Sequence, residues 1–92
     1  MTAQKIRDFC RANGLTQLWN NLWKAAIAFR SHWQCAGLRH SQGMTMSAEE
    51  IANYATAKAD FDKEATALSS AIRPLMPDFT IPDNIGEIAE AT

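Results

Sequence analysis

The sequence predicts an all-α protein. It is a small helical bundle on a long antiparallel hairpin (about residues 16–41 and 47–73), with a short N-terminal helix (about 3–13) and an extended Pro-containing C-terminal segment. Three observations carry that prediction. Ile51, Tyr54, Lys58, Phe61, Ala65, Leu68 and Ile72 recur at alternating three- and four-residue spacing, which puts them on one stripe of a helix. Leu15, Trp19, Leu22, Ala26, Phe29, Trp33, Ala36 and His40 repeat the pattern upstream with a more aromatic stripe. The segment Gly43 to Met46 is short enough to join the two helices as antiparallel neighbours.

The first helix takes Thr2 as its N-cap, and Ile6, Phe9 and Cys10 form its apolar face. Asn13-Gly14 supplies the left-handed residue that ends helices. A helix of this length is marginal in water, so its apolar face must dock on the hairpin. Thr16 is placed to cap the second helix. The apolar arc of that helix, from Leu15 through Trp23 to Trp33, is wide enough to need two neighbours, so the first helix is expected along the Trp19 and Trp23 edge. Gly37 costs about 1 kcal/mol inside a helix and is a candidate for ending it early. Trp19 and Trp33 are assigned to the core, and Trp23 lies at the edge of the arc. Arg30 falls inside the arc, where its charge needs a tryptophan face or an acid of the third helix.

The third helix opens on the clearest local signal in the chain. Ser47 and Glu50 have capping-box spacing, and Met46 and Ile51 occupy the two positions of a hydrophobic staple. Folding about this turn pairs residues whose numbers sum to roughly 91, setting Phe29 against Phe61, Ala26 against Ala65 and Trp33 against Lys58. Pro74 stops the helix. The stretch from there to Pro82 holds three prolines with Leu75, Met76, Phe79 and Ile81. It either packs back near Leu15 and Trp19 or offers a pre-extended apolar strip to a partner. Asp83 to Ala91 is compatible with a short terminal helix or a frayed tail.

The chain's 92 residues make one small domain, residues 1–92, with 74–92 as an extended and partly flexible tail. Lys24 and Arg30 interrupt the only apolar run that approaches the roughly 20 residues of a membrane span. Lys5, Arg7 and Arg11 have no apolar run directly behind them, so no signal peptide is read and a cytoplasmic location is expected. Cys10 and Cys35 are too few for a disulfide framework, and reduced thiols are expected. The net charge of −1 hides an asymmetry: residues 1–43 carry six basic side chains and one acid, while residues 44–92 carry three basic and nine acidic. The two halves are expected to lie against each other.

No motif spells out a reaction. His32 and Cys35, with Cys10 or His40, lack the paired spacing of a zinc site, and no glycine-rich phosphate loop is present. No cofactor, metal or catalytic residue is therefore assigned. A nucleic-acid interface would use Arg7, Arg11, Lys24 and Arg39, but six basic residues over forty positions make a weak footprint. Three tryptophans in fifteen positions, four methionines and the apolar proline-bearing strip point instead to protein binding. The expectation is a small non-catalytic adaptor or inhibitor that binds another protein through Trp23, Arg30, Leu75, Met76, Phe79 and Ile81. Homodimerisation through the aromatic stripe is a variant of it, and binding of nucleic acid is the alternative. Small accessory proteins of bacteria and their phages often share this size and lack of an active site, an analogy of class only.

Overall fold

The computed structural model describes residues 2–82 and 85–91. Four helices follow in order: α1 Ala3–Ala12, α2 Thr16–Ser41, α3 Ala48–Ile72 and α4 Ile85–Glu90. The molecule is elongated, 46 × 21 × 19 Å, because α2 and α3 run its full length as an antiparallel hairpin. Asp83 lies outside the described residues, so the start of the expected terminal segment is not placed.

Local chemistry sets most boundaries. The Thr2 side chain accepts from the Lys5 N–H, and α1 closes at Asn13 followed by Gly14 at φ 72°. Thr16 does not cap α2. The N-cap is Leu15, without a side-chain hydrogen bond, and its own N–H donates to the Cys10 carbonyl at 2.8 Å. The tight α1–α2 corner is thus set by backbone geometry rather than by a hydroxyl. Gly37 does not end α2, which continues to Ser41 and turns at Gly43, φ 69°. The Met44 N–H then reaches back to the Arg39 carbonyl at 2.9 Å. At α3 the capping box forms as expected, with Glu50 N–H to Ser47 Oγ at 3.1 Å and Ser47 N–H to Glu50 Oε1 at 3.2 Å.

The hairpin register follows the stripes. Phe29 meets Phe61 with ring centroids 5.8 Å apart and Tyr54 edge-on at 5.3 Å. Leu22, Ala26, Leu68 and Ile72 close the seam toward the base. There α1 packs on α2 through Ile6 and Cys10, and α4 packs on α2 and α1 through Ile88 and Ala89. Segment 74–82 folds back, burying Phe79 and half-burying Met76 and Ile81. Among the described residues the charged halves meet through Arg39 with Glu50 at 3.2 Å and Arg30 with Glu90 at 3.4 Å, and Glu87 accepts the Ala3 N–H at 3.1 Å, placing a carboxylate at the α1 N-terminus.

Candidate functional site

The third layer of the bundle is confined to the base. Trp23, Arg30 and Gly37 are seven residues apart and so share one stripe of α2. The first two lie under α4. The Trp23 indole N–H donates to the Ala89 carbonyl at 3.0 Å, and Arg30 pairs with Glu90 at 3.4 Å. Neither an α3 acid nor a tryptophan face answers Arg30; its partner is 60 positions away, on α4. Beyond Arg30, residues 31–41 of α2 and 48–58 of α3 form a two-helix arm whose flank on this side is bare.

The bare flank holds an apolar groove of about 610 Å³, lined by Trp33, Gln34, Ala36, Gly37, His40, Met46, Ile51 and Tyr54. Trp33 is 57% exposed and Ile51 56%, which corrects the assignment of Trp33 to the core. The reason is physical: two helices bury only the line of contact between them, and at this level no third element covers the outer half of each stripe. Lys58 does not lie on Trp33. It pairs with Asp62 one turn along α3 at 3.2 Å, which leaves the indole face open.

The opposite flank holds the groove in shape. Glu50 stands at the centre of a polar cluster, receiving the Cys35 thiol at 3.3 Å and Arg39 Nε at 3.2 Å in addition to the Ser47 N–H. The Ser47 backbone N–H, then Cys35 and Arg39, hold the Glu50 carboxyl down to a pKa of about 2 from 4.5. The same carboxylate pushes the Cys35 thiol up. Both cysteines are free, and Cys10, fully buried on the inner face of α1, is raised by desolvation.

The sequence-predicted binding residues fall mostly at the base. Trp23 and Arg30 hold the chain's own α4, Phe79 is 4% exposed, and Met76 and Ile81 pack against the core. Leu75 alone among the strip residues is an exposed large hydrophobe, at 58%. The groove residues Ile51, Tyr54 and Met46 appeared in the sequence as seam and staple positions. The available signal for a site was Gly37, a glycine inside a helix with nothing within 4 Å of where its Cβ would stand.

The basic residues do not converge. Arg7 pairs with Asp8, and Arg11 lies near it at the base. Lys24 lies on the other flank in a groove shared with Asp60 and Glu64, and Arg39 is bound to Glu50 at the tip. Arg11 and Arg39 stand at opposite ends of a 26-residue helix, about 39 Å long.

Among the described residues no helix is long and apolar enough to cross a membrane, and no group of three His, Cys, Asp or Glu side chains is placed to hold a metal ion. The fold defines the class: a small all-α hairpin bundle with a closed base and an open arm. Comparison with protein-family models, with curated proteins and with solved structures finds no match.

Proposed function

We propose that this protein is a non-catalytic interaction module, an adaptor or inhibitor acting in the cytoplasm, whose docking face is the groove on the open arm. One observation supports the reading above the others. A large apolar groove with no Lys, Arg, Asp or Glu in its lining gathers Trp33, 57% exposed, and Ile51, 56% exposed, on one face, whereas the other exposed large hydrophobes among the described residues, Leu38, Met44 and Leu75, lie outside it. Contiguous apolar surface bearing Trp, Tyr and Met is the composition of interface centres. The groove is also held from behind by the Glu50 cluster, so little ordering is needed when a partner arrives.

The reading moves the docking residues from Trp23, Arg30 and the 75–81 strip to Trp33, Ile51, Tyr54 and Met46. A comparison of tagged wild-type protein with Trp33→Ala and Leu75→Ala in nuclease-treated lysate tests it. A stoichiometric protein retained by Leu75→Ala and lost by Trp33→Ala is the expected result. Loss with Leu75→Ala instead would return the site to the base. Recovery of nothing from nuclease-treated lysate, with salt-sensitive nucleic acid recovered from untreated lysate and weakened by Arg7→Ala with Arg11→Ala, would replace protein docking altogether.

A further inference from the structure

We infer that a second copy of this chain occupies the groove in the isolated protein, the two arms crossing antiparallel about a two-fold axis near position 35 of α2. The inference rests on the reading of the groove as a docking face and names its occupant.

Its basis is reciprocal shape. Trp33 and Gly37 are one turn apart and both line the groove. Trp33 stands out as an exposed knob, while Gly37 is a gap with open space above it. A glycine there destabilises α2 by about 1 kcal/mol relative to alanine, and no contact within the chain requires it. In an antiparallel crossing about position 35, Trp33 of each copy enters the Gly37 gap of the other. An isologous interface demands this self-complementarity, with each residue meeting its partner's counterpart in exchange.

Charge and relief agree with it. No Lys, Arg, Asp or Glu lines the groove, so two identical faces approach without like-charge repulsion. The arm is bare by one helix layer, because α4 covers the same stripe only as far as Arg30. Two arms laid tip to base therefore fill each other's step, and α2 and α3 of each copy complete a four-helix bundle. The groove's open face is small beside the roughly 800 Å² per partner of a standard interface, so the dimer is weak and concentration-dependent.

The experiment is sedimentation equilibrium of the full chain from about 5 to 500 μM, a range that brackets weak dimers. Wild type is compared with Trp33→Ala and Gly37→Leu, and far-UV circular dichroism is recorded on the same samples. The expected wild-type mass rises from 10.2 kDa toward twice that value. Both variants should stay at one chain, their dimerisation weakened at least about tenfold, with helix content unchanged. Gly37→Leu is the decisive variant, since it fills the gap while favouring the helix. If Trp33→Ala loses its fold, Gly37→Leu alone decides. A wild-type mass of one chain throughout would overturn the second copy, leaving the docking face to be judged by the lysate comparison. Dimerisation undiminished by Gly37→Leu would overturn the crossing geometry and with it this proposal.

Discussion

The division into a closed base and an open arm makes opposite demands on two large side chains, Ile88 and Trp33. Ile88 is 0% exposed on a helix of six residues, too short to hold itself in water. Replacing it with alanine should cost about 2–5 kcal/mol. That is a large share of the roughly 5–14 kcal/mol expected for a 92-residue domain. At about 4–8 °C per kcal/mol for a domain of this size, the Tm should fall by roughly 8–40 °C. Trp33 is more than half exposed, so Trp33→Ala should cost under about 1 kcal/mol when measured at low micromolar concentration, where the arm is unpaired. Urea melts followed by circular dichroism on both variants give the comparison. Equal losses would mean that the arm is covered in the single chain and would refute the division. A negligible loss for Ile88→Ala would mean that α4 is not docked at all.

Three further outcomes follow from particular contacts. Trp23→Phe keeps the ring but removes the donor to the Ala89 carbonyl, so it should cost about 1 kcal/mol and raise amide exchange in α4 before that in α3. The depressed Glu50 pKa contributes stability that is complete above pH 4.5 and is lost as pH falls through about 2. Acid titration of wild type should therefore be steeper than that of Glu50→Gln over this interval, and parallel curves would remove the cluster from the account. The Cys10 thiol should react with alkylating reagents only as fast as the base unfolds, whereas half-buried Cys35 should react without that limit.

Local and periodic features were legible in the residues, and long-range docking was not. Ser47 with Glu50 marked the start of α3 because a capping box is complete within four residues. Phe29 against Phe61 followed from two equal spacings and one turn. The extent of the third layer was a different kind of fact. Where α4 stops along α2 depends on Glu87 reaching Ala3, Trp23 reaching Ala89 and Arg30 reaching Glu90, links across 60 to 84 positions with no period to announce them. Trp23 and Trp33 are therefore distinguished by coverage, not by place in the stripe: one received the tail and the other was left outside it. The same cause decides which candidate residues the chain itself covers. The 75–81 strip was open to two readings, packing back on the bundle or presentation to a partner, and Phe79 packs back to cover the end of this chain's own hairpin.

An arm without a third layer needs another reason to keep its two helices together. The aromatic triad of Phe29, Tyr54 and Phe61 supplies one at the arm's root. The cluster of Glu50 with Ser47, Cys35 and Arg39 supplies the other at its tip. Between these two points the groove is spanned rather than filled. Its polar fastening lies on one flank and its apolar lining on the other, so the groove keeps its shape without any Lys, Arg, Asp or Glu in its lining. If that is how the arm holds, docking and acid stability share a cause. Protonating Glu50 should loosen the tip and weaken association through Trp33 as pH falls toward about 2, although no titrating carboxylate lines the groove itself. Sedimentation of wild type and Glu50→Gln at neutral and acid pH checks it. The variant should associate weakly at both, and wild type should approach it only in acid.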